Sequence, residues 1–280
     1  MVLRHLFVAA CVAACLSSCA GKPQPDGSLK TSFAATMPAG SSLKAHDPVA
    51  LSPAAWMRPR NPGGLAGRDI YVSSVKDIAL ANKEVILSFD DGPVPGKTES
   101  ILATLDEFGV KATFLMVGEM AQAHPAIAKK VLAEGHSIGS HTYSHPNLRS
   151  LSFDRALAEV SKGAMAVAKA TDTDASFFRF PYLADNGRLR HVVSDRSMVI
   201  MDVQIDSKDY FTDSPAVVAS RTMAALRHRG SGIILMHDIH KRTATMLPAL
   251  LTQLKAEGYK VVRLIYKKNI HKPMEVASLD

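Results

Sequence analysis

From Glu84 to Tyr266 the chain repeats one pattern, a short apolar run followed by a longer amphipathic stretch. The apolar runs are "EVILSF", "KATFLMVG", "SFFRF", "SMVIMDVQI", "GIILMH" and "YKVVRLIY". Between them lie "KTESILATLDEFG", "HPAIAKKVLAEG", "FDRALAEVSKGAMAVAKA", "PAVVASRTMAALRHRG" and "ATMLPALLTQLKAEG". Runs of about four to eight residues bounded by turn residues read as buried strands, and apolar positions spaced three and four apart read as helices. Alternation of the two is the signature of βα units, whose strands lie parallel. The expected fold class is therefore α/β. About 185 residues of such units suit one irregular or incomplete (β/α) barrel of parallel strands more economically than two domains. In such folds catalytic groups sit where strands end and loops begin, so polar residues directly after apolar runs are the ones to inspect.

The N-terminal part lacks this pattern. Arg4 and His5 precede an apolar stretch from Leu6 to Leu16, and "LSSCAG" follows. This reads as a signal peptide, too short to span a membrane as a helix. Leu16-Ser17-Ser18-Cys19 resembles a bacterial lipobox, which implies a signal over residues 1–18 and lipidation at Cys19. Residues 19–68 are rich in Pro, Gly, Ser and Ala, contain the one tryptophan, Trp56, and read as a flexible tether. A single catalytic domain is expected over residues 69–268, with a short tail at 269–280. Because Ala20 follows Cys19, the resemblance to Gram-negative lipoproteins implies an exported protein held in the outer membrane and facing the periplasm.

Cysteine usage narrows the chemistry. Cys11, Cys15 and Cys19 all fall within or at the end of the signal, so the mature chain has no disulfide, thiol nucleophile or Cys-zinc site. The formal charge is +7 across 280 residues, and the basic clusters "RHRG" and "KKNIHK" read as solvated faces. Basic residues are not interleaved with aromatics, and with export this argues against nucleic acid as a partner. No pattern specifies an oligomeric state.

Several apolar runs end in groups that can do chemistry. "EVILSF" leads into Asp90 and Asp91, "SFFRF" contains Arg179, "MDVQIDSKDY" ends in Asp206, Asp209 and Tyr210, and "GIILMH" ends in His237-Asp238. Adjacent carboxylates at a strand end point in different directions and can serve as metal ligand and general base. The stretch "EGHSIGSHTYSH" offers two further readings. Gly135 to Gly139 spells G-x-S-x-G, the nucleophile elbow of serine hydrolases, while His141 and His145 stand four apart, as for two imidazoles on one face of a helical turn gripping one ion. An elbow needs a strand before its serine and a helix after it. Here a helical pattern starting at Pro125 and stopping at Gly135 precedes Ser137, and Pro146 follows soon after. With an Asp pair about 50 residues upstream, the metal reading is preferred.

"LSFDDGP", "HSIGSHTYSHPNL", "RFPY", "DSKDY" and "ILMHD" together resemble, in order and spacing, the five motifs of the polysaccharide deacetylase family, the NodB-like chitooligosaccharide deacetylase homology domain. The resemblance covers roughly residues 83–266. It implies that Asp91, His141 and His145 hold a divalent metal, zinc first, with cobalt, iron or nickel also compatible. It implies that Asp90 is the base for the attacking water and that Arg179 pairs with Asp90. The Tyr182 backbone amide would help hold the oxyanion, and His237, oriented by Asp209, would protonate the leaving amine. Leu235 would line the pocket for the acetyl methyl. The sequence departs from the family at Tyr210, where a Trp usually follows the Asp, and at Phe180 before Pro181.

The expectation is a metal-dependent hydrolase removing N-acetyl groups from N-acetylglucosamine units of an extracytoplasmic glycan, chitin-type, peptidoglycan or poly-N-acetylglucosamine. Two alternatives stay open at this point: an O-acetyl esterase on xylan-like polymers, and a glycan-binding lipoprotein with a catalytically idle barrel. The expected partners are an acetylated glycan and, through the lipid anchor, a membrane.

Overall fold

Strand β2, Glu84–Asp90, shows how the sequence builds the domain. Val85, Leu87 and Phe89 face outward into the main core, while Ile86 faces inward into a second apolar cluster with Leu115, Phe177, Val199 and Ile233. A strand buried on both faces is the condition of a parallel sheet covered by helices. In this computed structural model, which describes residues 64–268, every strand pairing is parallel.

The other strands are β1 (Ala66–Val72), β3 (Thr113–Met116), β4 (Ser137–Ser140), β5 (Phe177–Phe178), β6 (Val199–Ile200), β7 (Ile205–Asp206), β8 (Gly232–His237) and β9 (Lys260–Tyr266). The helices are α1 (Lys97–Glu107), α2 (Gly118–Ala123), α3 (Pro125–Ala133), α4 (Phe153–Thr171), α5 (Gly187–Asp195), α6 (Pro215–Arg229) and α7 (Lys241–Ala256). Around the barrel the order is β7-β8-β2-β3-β4-β5-β6, and the ring stays open because β6 and β7 do not pair. The β1–β9 pair joins at the start of β2, where Glu84 and Val85 lie beside Lys260 and Val261. The main core lies between the sheet and the helices, with Ile101, Leu105, Leu247 and Leu250 at 0% exposure. Full burial of each such side chain contributes about 1.5–3 kcal/mol.

Helix ends follow local chemistry. Ser214 caps α6 through Val217 N, Pro215 takes its first position, and Gly230 at φ 91° ends it. The basic cluster "RHRG" is the last turn of that helix, where Arg227 also binds Glu257 and positive charge suits the helix dipole.

The structure corrects two expectations. The domain begins inside the segment expected as tether: β1 starts at Ala66, and Leu65 is buried. Its "AGRD" start has no apolar run to announce a strand, and it is secured instead by Val261 N donating to Leu65 O and by Arg68 on Glu84. The run "SMVIMDVQI" is not one strand. It breaks at Met201–Gln204 into β6 and β7, because side chains take over the ladder: Arg179 Nε donates to Met201 O, and Ile233 N donates to Gln204 Oε1. The signal peptide, Cys19, most of the 19–68 tether and the 269–280 tail lie outside the described residues.

Candidate functional site

Alternation along the strands brings the chemistry to one mouth. On β2 the inward positions run Ile86, Ser88, Asp90, and on β8 they run Ile233, Leu235, His237. The register sets Asp90 beside His237 across neighbouring strands. Asp91 follows β2, His141 and His145 follow β4, Arg179 and Tyr182 follow β5, and Asp209 follows β7. All nine residues singled out for the site thus stand at the carboxyl end of the barrel.

Asp91, His141 and His145 form a cluster whose ligand atoms lie within 4.8 Å of one another. Asp91 Oδ1 is buried without a hydrogen-bond partner. It lies 3.3 Å from His145 Nε2 and 3.6 Å from His141 Nε2. Tetrahedral ligands about 2.0–2.2 Å from zinc stand roughly 3.3–3.6 Å apart, so these spacings fit one ion. His141 Nδ1 lies 2.8 Å from Arg179 O, and a carbonyl can only accept, so Nδ1 carries the hydrogen and Nε2 keeps its lone pair. Burial, followed by the charge of His145, lowers His141 to about 3 even though Asp91 pulls it upward, so it is neutral at ordinary pH. The residues present therefore fit a divalent cation such as zinc.

The spacing of these histidines is not that of a helix. Residues 141–147 form a loop, with Thr142 at φ 69° and His145 at φ 59°, and Asp91 is also left-handed at φ 79°. Helical spacing and a looped pair both bring two imidazoles together, with ring centroids here 4.8 Å apart. Non-glycine residues in this region cost about 1–3 kcal/mol each and concentrate at functional sites.

Two charge pairs flank the cluster. Arg179 Nη1 donates to Asp90 Oδ1 at 2.6 Å, with both side chains buried. Burial pushes the Asp90 carboxyl up, opposed by Arg179 and His237. On the other side, His237 Nδ1 lies 2.7 Å from Asp209 Oδ1, and His237 N donates to Asp209 Oδ2. Burial lowers His237, but the hydrogen bond and charge of Asp209, with Asp90 and Asp91 behind, outweigh it and raise the imidazole to about 9. For Asp209 burial pulls upward, yet His237 and Thr243 hold the carboxyl below its ordinary range. A carboxyl group beside an arginine and an imidazole held protonated beside a carboxylate sit in unlike environments, the arrangement that a separate base and acid require.

The rim is aromatic. Tyr182, in a left-handed turn at φ 58°, is 67% exposed, with its ring edge-on to His145 at 4.7 Å. Tyr210 stands edge-on to His237 at 5.5 Å, donates to Asp206 Oδ2 and packs on Phe211. Leu235 is 7% exposed, one inward position below His237.

A sequence profile of polysaccharide deacetylases matches residues 77–200. A peptidoglycan-N-acetylglucosamine deacetylase of Bacillus cereus is 31% identical over 186 residues, covering 63% of this chain and 67% of that protein. The chain belongs to the polysaccharide deacetylase family. The peptidoglycan-N-acetylglucosamine deacetylase PgdA of Listeria monocytogenes is 35% identical over 66% of this chain, and the match spans 39% of the Listeria protein's length. The structure of a Bdellovibrio bacteriovorus peptidoglycan deacetylase matches with a TM-score of 0.64 and 34% identity, over 74% of this chain and 57% of that one.

In this member of the family the serine motif has no part in the mouth. Ser137 opens β4 at the amino end of the barrel, where its Oγ donates to Leu264 O. Sequence reasoning named Asp238 without giving it a role, and passed over other residues that support the site. Asp238 is buried, accepts from Gly92 N at 2.9 Å and from Thr98 Oγ1 at 2.7 Å, and so fixes the turn after Asp91. Burial pushes its carboxyl up to about 7, against the pull of those bonds. A Cβ on Gly92 would fall 2.0 Å from Asp238 Oδ2, so this turn needs a glycine. The signal for Asp238 was its place directly after His237 at a strand end. Thr98, Thr243 and Glu159 carried no local signal.

Proposed function

We propose that the chain is a metal-dependent N-deacetylase that removes acetyl groups from N-acetylglucosamine units of an extracytoplasmic glycan and releases acetate. The observation that carries this reading is the cluster of Asp91, His141 and His145 standing between a carboxylate–arginine pair and an imidazole–carboxylate pair. Asp91, His141 and His145 would hold the cation, with zinc the first choice and cobalt, iron or nickel compatible with the same donors. When bound, a divalent cation supplies Lewis acidity, polarising the amide carbonyl and acidifying water at neutral pH. Asp90 takes the proton of the attacking water, and Arg179 keeps that carboxylate oriented. The Tyr182 backbone amide donates to the oxyanion that develops on the acetyl oxygen, and Leu235 walls the methyl group. His237 gives its proton to the departing nitrogen while Asp209 holds the ring in line.

The built acid favours an amide over an ester, because an amine leaves only when protonated whereas an alkoxide needs less help. Relatives named for peptidoglycan-N-acetylglucosamine and chitin support the glycan class. The purified protein with zinc should release acetate from chitooligosaccharides, peptidoglycan or poly-N-acetylglucosamine, and Asp90→Asn should retain zinc while turnover falls about 10²-fold or more. No acetate from any of the three, or an Asn variant as fast as the parent, would overturn the proposal.

A further inference from the structure

Helix α4 touches no reacting group, yet one face of it determines the shape of the loop that carries both histidines. Glu159, Lys162 and Gly163 stand three and four apart and so share that face. A single oxygen of Glu159, Oε2, accepts from Tyr143 N at 3.2 Å, Ser144 N at 2.9 Å and Ser144 Oγ at 3.2 Å. Two successive backbone N–H groups converging on one carboxylate form an anion nest, here filled by the protein itself. Lys162 Nζ lies 3.4 Å from the centre of the Tyr143 ring. Gly163 has no Cβ, and one built there would fall 2.3 Å from the carbonyl carbon of Thr142. From the start of α2, Gly118 N donates to Thr142 O at 2.9 Å and Glu119 N to Tyr143 O at 3.0 Å.

The loop is therefore held by two helices through the backbone of residues 142–144, while His141 and His145 flank the held segment and reach Asp91. Thr142 and His145 are left-handed without being glycine, a conformation that persists only where surroundings over-determine it. The contacts from α4 are part of those surroundings. We infer that Glu159 is a positioning residue for the cation: it shapes the Thr142–Ser144 turn and thereby sets the separation of the two imidazoles. The inference rests on the reading that Asp91, His141 and His145 bind a divalent metal.

The test is zinc affinity of the full chain, measured by competition with a chromophoric chelator, for the parent, Glu159→Ala, Glu159→Gln and Glu159→Asp. Partners that orient metal ligands from outside the ligand set are worth about 10–100-fold in affinity. Glu159→Ala should weaken zinc binding by that factor. Glu159→Gln, whose amide oxygen can accept the same N–H groups, should stay within about threefold of the parent. Glu159→Asp keeps the charge but withdraws the acceptor by one methylene. It should fall between the other two, and it serves where the alanine variant does not fold. A merely structural role would lower thermal stability without moving the affinity of the folded fraction. A parent that binds no zinc would sink the metal reading itself. A parent that binds zinc, with the alanine or aspartate variant within twofold of it, would overturn the role of Glu159 alone.

Discussion

At the level of single residues, Asp209 does the most for the least exposure. It is fully buried and spends both oxygens, Oδ1 on the His237 ring and Oδ2 on His237 N and Thr243 Oγ1. The result is an imidazole raised from 6.5 to about 9 despite the downward pull of burial. Because the folded value lies above the unfolded one, the contribution of the His237 proton to stability is complete below pH 6.5 and is lost as pH rises through about 9. In the proposed reaction the same proton is the one given to the leaving nitrogen. The pH profile of kcat/KM should accordingly fall on its alkaline side near pH 9, and Asp209→Asn, which removes the main upward pull, should move that limb down by at least about one unit. An unmoved limb in the asparagine variant would assign the acid to another group. Asp90 obeys a different logic, since its partner Arg179 is also buried: losing one member of a buried pair strands the other charge, at about 3–5 kcal/mol.

Elements set how closely these residues meet, and β4 shows the tightest tolerance. Its inward position below the histidines is Gly139, and a Cβ there would lie 2.4 Å from Phe177 O on β5, two residues before Arg179. Gly139→Ala must therefore push β5 away from β4. It should lower stability in urea by about 1–3 kcal/mol and reduce turnover, while Gly187→Ala, where nothing lies within 4 Å, should change neither appreciably. Equal urea midpoints for Gly139→Ala and the parent would mean that the strands are not in this contact. The same elements mark the limit of what could be read beforehand. Helices α3 and α6 were legible because Pro, Ser and Gly punctuate them, and β2 and β8 because an apolar run stops at a carboxylate or an imidazole. β4 was hidden, since "SIGS" has one large apolar residue and doubles as a serine motif. β6 and β7 are two residues each and owe their limits to side-chain bonds from Arg179 and Gln204. The motif residues could be named from sequence, but Asp238 on Gly92 is a contact across 146 positions, and Glu159 under Ser144 sits on an unremarkable helix face.

Across the whole barrel, the site joins strand ends that are not neighbours: Asp91 comes from β2, the two histidines come after β4, and β3 runs between them. An ion held by all three would link β2 to β4 in the folded chain and find no such arrangement in the unfolded one, so binding and folding are coupled. Zinc at about 100 times its Kd should add about 2.7 kcal/mol to stability. For a domain of roughly 200 residues each kcal/mol moves Tm by about 2–4 °C, so the melt should rise by about 5–10 °C over the chelator-treated protein. His141→Ala leaves two ligands and should abolish this rise. Ser137→Ala should keep it, because the Ser137 bond to Leu264 O lies at the opposite end of the barrel. Melting curves of the three proteins with zinc and with chelator decide the matter. An undiminished zinc shift in His141→Ala would remove the ion from this cluster and with it the link between β2 and β4.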